Sequence, residues 1–243
     1  MFVSKQHTEQ FNRKKTSAIS LLSFSLGFID AFIIYTLSSY FADIVGERFV
    51  GIIYLITFGI HLFLLLTLDT IVRAVGQVRY LVLCLLFSTV VMGVLPNVSS
   101  GISGLLLAIA YLVFSNTVWV ALDIILEGYS QDRLSGRIRG VHLTVMNIGL
   151  LLAPYLSMNI LARFGYPAVF LSVFIGYACI LLVAVILFRF DNRIPHRPKV
   201  RLLTSLREVM RVPDLVHIFF VSFALEFFYA IMIVYTAIHL QAV

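Results

Sequence analysis

Apolar residues along this chain neither alternate with polar ones at strand spacing nor form the narrow stripe of a surface helix. They come in unbroken runs of about 20 residues, the length a helix needs to cross a bilayer. The runs are Ser17–Ala42, Val50–Val72, Arg79–Pro96, Gly101–Gly128, Val141–Arg163, Pro167–Arg189 and Asp214–Leu240. Strands of a membrane barrel would read as alternating segments of about 10 residues. Within lipid, only helices and closed barrels satisfy their own backbone groups. The pattern therefore predicts an all-α, polytopic membrane protein. It has an N-terminal arm (1–16), a six-helix transmembrane bundle (17–189), a polar connection (190–213) and a seventh transmembrane helix (214–243).

Composition agrees. The chain is 60% hydrophobic and 12% charged, with a mean hydropathy of +1.00, whereas a soluble domain is about half apolar and a quarter charged. The net charge of +6 invites a nucleic-acid reading, but its distribution points elsewhere. Sixteen of the 18 Lys and Arg residues fall in the N-terminal arm and in every second connection: Lys5 to Lys15, Arg73 and Arg79, Arg133 to Arg139, and Arg189 to Arg211. Arg48 and Arg163 alone fall on the other side. Cations stay on the cytoplasmic side of a membrane. The expectation is a cytoplasmic N-terminus in a cell membrane, a bacterial inner membrane, with the bilayer and no nucleic acid as partner. Cys84 and Cys179 lie in separate apolar runs and imply neither a disulfide nor a metal framework.

The connection 190–213 is basic and holds Leu202, Leu203, Leu206, Val209 and Met210 at helical spacing. That pattern predicts an amphipathic helix on the cytoplasmic face, stopped by Pro213. The runs on its two sides contain an echo. Ser23-Phe24-Ser25-Leu26-Gly27-Phe28-Ile29-Asp30-Ala31 matches Ser222-Phe223-Ala224-Leu225-Glu226-Phe227-Phe228-Tyr229-Ala230 in its Ser, Phe, Leu, Phe and Ala positions. Six runs separate the copies, as in a parallel repeat of six spans.

On these features the chain resembles the major facilitator superfamily. Six spans, a basic linker and a seventh span echoing the first carry the likeness. So do the turn Gly76-Gln77-Val78-Arg79, the stretch from Asp123 and Glu127 into Gly136-Arg137-Ile138-Arg139-Gly140, and the fifth-run spacing of Gly140, Gly149, Ala153 and Pro154. Arg73 stands where the family's signature loop carries an acid, and Asp69 is the nearest acid, one turn earlier. The resemblance implies a secondary transporter that moves a small solute by alternating access, with five further spans beyond these seven. It also implies a cytoplasmic gate of ion pairs among Asp69, Arg73, Asp123, Glu127, Arg137 and Arg139. The other readings are a truncated or partial protein without transport of its own, or a half that needs a partner. A seven-span receptor fits the charge asymmetry poorly.

Chemistry inside the runs is sparse. Asp30 and Glu226 are acids near the middle of the first and last runs. Intramembrane acids are costly and mark ion or substrate pathways, so these two are candidates for proton coupling or substrate binding. Asn116 and His61, mid-run polar groups, are further substrate candidates, with His142 and Asn147 behind them. Gly149, Ala153 and Ser157 form a stripe of small residues for close helix packing, and Pro154 frees a carbonyl one turn back. Without a central Lys or Arg, the solute expected is neutral or cationic. No zinc-binding, phosphate-cradling or nucleophile motif is present, so neither an enzyme, a metal nor a cofactor is expected.

Overall fold

The structure, a computed structural model, describes residues 13–99, 101–129, 135–188 and 210–242. Every regular element among them is helical: α1 (Arg13–Val45), α2 (Glu47–Val75), α3 (Gln77–Val94), a 3-10 turn (Leu95–Asn97), α4 (Ile102–Tyr129), α5 (Ser135–Phe188) and α6 (Pro213–Ala242). Six of these helices are long and apolar enough to cross a membrane. The arm through residue 12 and the connection 189–209, with its expected amphipathic helix, lie outside the described residues.

The turns are made by glycine. Only Gly46 separates α1 from α2, and only Gly76 separates α2 from α3; their φ angles are 84° and 95°. At 54 residues, a straight α5 would be roughly 80 Å long, more than twice the hydrocarbon thickness. It breaks at Gly165 (φ 75°, ψ −177°), a conformation essentially restricted to glycine. The helix runs through Pro154 and turns at Gly165 instead. The break falls between the apolar runs that end at Arg163 and begin at Pro167, leaving arms of residues 135–164 and 166–188.

α1 is the hub, packing against α2, α4, α5 and α6. The second arm of α5 runs antiparallel to it. Tyr166 donates to Asp43 Oδ2 at 2.6 Å near one end, Tyr40 meets Phe170 edge-on, and Tyr177 reaches Asp30 further down. α4 is also antiparallel to α1. A Cβ on Gly104 would collide with the hydroxyl of Tyr40, and one on Gly176 with Ile29. Helix backbones approach this closely in membranes because small residues allow it. Ala153 and Ser157 are buried as the small-residue stripe expects; the side chains of Gly149 and Pro154 lie outside the described residues.

The core is mainly apolar, but it also holds small polar side chains, and the exterior is apolar too. Ser23, Thr36, Ser38, Ser39, Ser88, Ser115 and Thr117 are buried, while Leu55, Phe63, Phe220 and Phe228 are each about 70% exposed. Three buried threonines bond to their own helices: Thr57, Thr89 and Thr117 each donate to the carbonyl four residues back at 2.7 Å. An exterior this apolar is stable only in lipid, so the chain is a multi-pass membrane protein.

Two substitutions test the turns and the tight contacts. Gly165→Ala is expected to cost about 1–3 kcal/mol through backbone strain. Gly176→Val is expected to cost a similar amount, about 1–3 kcal/mol, by overpacking against Ile29. Both should lower the thermal unfolding midpoint in detergent, while Gly59→Ala, where an added Cβ meets nothing within 4 Å, should not.

Candidate functional site

A carboxylate near the middle of a membrane-spanning helix needs donors, and α1 supplies none to Asp30. They come from the helices packed around it. On α4, Tyr111, Ser115 and Trp119 recur every four residues and so share one face. Tyr111 donates to Asp30 Oδ1 at 2.9 Å, Ser115 to the same oxygen at 3.0 Å, and Trp119 Nε1 to Oδ2 at 2.5 Å. From the second arm of α5, Tyr177 donates to Oδ1 at 2.7 Å. Tyr111 and Tyr177 are fully buried and meet edge-on, with ring centroids 5.7 Å apart.

The two carboxylate oxygens are served unequally. Three hydroxyls converge on Oδ1, more than its lone pairs can each accept well, while Oδ2 receives the indole N–H alone. The hydroxyls also lie close to one another: Tyr177 Oη is 3.0 Å from Ser115 Oγ and 3.5 Å from Tyr111 Oη. A hydroxyl can turn from donor to acceptor, whereas an indole can only donate. The Oδ1 side can therefore rearrange if the acid takes up a proton, with Tyr177 turning to Ser115, while the Oδ2 side stays fixed.

Asp30 is also part of the wall of a cavity of about 230 Å³. α1 contributes Asp30, Ile33 and Ile34. α2 contributes Tyr54 and Phe58, and α4 contributes Tyr111, Leu112, Ser115, Asn116 and Trp119. α6 closes it with Glu226, Tyr229 and Ala230, at the i, i+3, i+4 spacing of one helix face. Asp30 and Tyr229 occupy matching positions of the sequence echo, so the two copies meet across this space. Tyr54 is anchored by a 2.9 Å hydrogen bond between its hydroxyl and Ser38.

Of the residues singled out in the sequence, Asp30, Glu226 and Asn116 are brought together in this cavity. The Asn116 amide also donates back to Leu112 O at 2.7 Å. His61 is not in its wall; it lies between α2 and α4, with Nδ1 3.4 Å from Thr117 Oγ1. At the other candidate site, Arg73 makes a two-pronged ion pair with Asp69 one turn back on its own helix, at 2.8 and 2.9 Å. Asp123 is exposed, and the side chains of Glu127, Arg137 and Arg139 lie outside the described residues. Tyr111, Ser115 and Tyr177 were not anticipated. The four-residue spacing of Tyr111, Ser115 and Trp119 was a usable signal, whereas Tyr177, a lone tyrosine in its run, offered none. Among the described residues no cluster of metal-ligating side chains occurs.

No family model, curated protein or solved structure matches this chain.

Removing one donor from the Oδ1 cluster should be measurable. Tyr177→Phe keeps the ring and loses the hydroxyl. It is expected to destabilise the detergent-solubilised protein by about 1.5–3 kcal/mol, the range for hydrogen bonds to charged groups. In an Asp30→Asn background the same change should cost much less. A double-mutant cycle of unfolding midpoints reads the difference.

Proposed function

We propose that this protein is a secondary transporter of the major facilitator type, or the first part of one, moving a small solute through the cavity at Asp30. The observation that carries the reading is that cavity. It sits midway along the helices, is walled by α1, α2, α4 and α6, and contains two intramembrane carboxylates. Counting the two arms of α5 as separate spans gives the seven that the charge asymmetry requires, with the N-terminus cytoplasmic. The matched placement of Asp30 and Tyr229 is what a six-span parallel repeat would produce.

Proton coupling through Asp30 is part of the proposal. An acid whose hydroxyl partners can reverse donor and acceptor roles accommodates both protonation states without leaving a buried group unpaired. Asp69 and Arg73 belong to the proposed cytoplasmic gate with Asp123, Glu127, Arg137 and Arg139. Pairs formed between helices would hold in one state and break in the other, whereas the Asp69–Arg73 pair lies within α2.

A second reading is a bundle that acts only with a partner. It is favoured by α6, where none of the described side chains from Pro213 to Met232 is buried. In that case the chain should migrate as a complex after extraction in mild detergent.

The test is solute-driven proton movement. Proteoliposomes containing the protein and an internal pH indicator are challenged with a panel of small amines, polyols and amino acids. At least one compound is expected to change the lumenal pH in wild type, and Asp30→Asn should abolish the response. Solute accumulation that follows an imposed pH gradient equally well in Asp30→Asn overturns the coupling role. A tag at the N-terminus that reacts only from outside intact cells overturns the orientation.

A further inference from the structure

We infer that the cavity binds a small monovalent organic cation, a protonated amine attached to an aromatic or aliphatic body, with the ammonium held at Asp30 and Glu226. The inference rests on the transporter reading for its location and goes beyond it in naming the solute's chemistry.

Three observations converge. First, among the described residues the wall contains two carboxylates and no Lys, Arg or His. Every hydrogen-bond donor to Asp30 among those residues is neutral. Asp30 lies inside the bundle and Glu226 faces the same cavity from the exposed α6; two carboxylates at membrane depth without a compensating cation are costly, and a bound cation supplies the missing charge. Second, among the described residues Oδ2 of Asp30 has a single donor, Trp119, although a carboxylate oxygen can accept two. The vacant direction on that oxygen suits an ammonium N–H. A hydroxyl solute could fill it too, but would leave the charge uncompensated. Third, the wall is rich in aromatic rings, among them Tyr54, Phe58, Trp119 and Tyr229. Their faces attract cations and pack against apolar bodies.

Size adds a limit. At about 230 Å³ the space is below the roughly 300–1,000 Å³ of sites for drug-sized ligands. The fitting solute is smaller than a drug, with one amine and a body of about one ring. An anion is excluded by charge. A neutral isostere would fill the volume without offsetting either carboxylate.

The chain carries its own reporter, because Trp119 is its one tryptophan. The experiment titrates the full chain, purified in detergent, with phenethylammonium, 2-phenylethanol and phenylacetate. These share a ring and differ in head-group charge. Trp119 fluorescence is read alongside calorimetry, so that a spectrally silent event still registers. Phenethylammonium is expected to bind saturably. 2-Phenylethanol should bind at least ten-fold more weakly, and phenylacetate not at all. Glu226→Gln touches no hydrogen bond of the Asp30 network. It should weaken phenethylammonium at least five-fold while leaving the helical circular dichroism and unfolding midpoint unchanged. The inference is overturned if phenethylammonium fails to bind, if 2-phenylethanol binds as tightly, or if Glu226→Gln titrates like wild type. Binding is measured in detergent without a gradient. A protein that binds amines but moves nothing therefore passes here and fails the proteoliposome test. A transporter of neutral solutes does the reverse.

Discussion

Lipid does not solvate a carboxylate, and the arrangement of this bundle follows from meeting that constraint at Asp30. An ionised acid at the centre of a membrane helix costs at least about 2.5 kcal/mol, and α1 has no donor of its own to offer it. Tyr111, Ser115 and Trp119 on α4 and Tyr177 on α5 close on the two oxygens at 2.5 to 3.0 Å. One side chain thus fixes the rotation of three helices. Slipping α4 by a single residue would turn its Tyr-Ser-Trp face away by about 100° and strand the charge. The apolar contacts around it are less demanding, because a leucine finds an equivalent neighbour in lipid or in protein.

The same constraint explains what the remaining core is made of. With lipid as apolar as leucine, burying leucine brings little gain, and association relies on close packing and hydrogen bonds. The interior accordingly holds serines, threonines and glycines that let backbones approach. Gly104 beneath Tyr40 and Gly176 beneath Ile29 are the tightest cases. The large aliphatic and aromatic side chains of α2 and α6 face outward. Connections are reduced to single glycines at positions 46 and 76, which fixes the pairing of consecutive helices as antiparallel neighbours.

Much of this was legible in the sequence, because the strongest signal, run length, is the one that lipid enforces. The helix ends lie within a few residues of the apolar runs, and the break at Gly165 falls in the short gap between Arg163 and Pro167. The sequence also named Asp30, Glu226, Asn116 and His61 as candidates, since polar residues inside apolar runs are few, and the echo placed Asp30 and Glu226 within a turn of matching positions. What it did not reveal is partner choice. Nothing about Tyr177 distinguishes it from an interfacial tyrosine until the second arm of α5 is seen to lie antiparallel to α1. His61 looked as promising as Asn116, but it sits beside Thr117 and is not among the residues that line the cavity. Arg73, named among six residues expected to form ion pairs, pairs with Asp69 one turn back on its own helix, which costs no long-range ordering.

The two carboxylates of the cavity differ in how they are held, and that difference bears on mechanism. Asp30 is fixed by four donors on two other helices. Glu226 sits on α6, which among the described residues packs mainly against α1 and α2 and has no buried side chain between Pro213 and Met232. One acid therefore belongs to a rigid wall and the other to a loosely attached one. A ligand can shift a conformational equilibrium only by its difference in affinity between the two states. On the proposed reading, a cation bridging Asp30 and Glu226 has that difference built in, since it gains the second carboxylate only while α6 is closed against the bundle. Protonating Asp30 would remove the charge that the cation needs and release α6 with it. Solute and proton would then compete for one carboxylate, and the exchange needs no separate relay across the membrane.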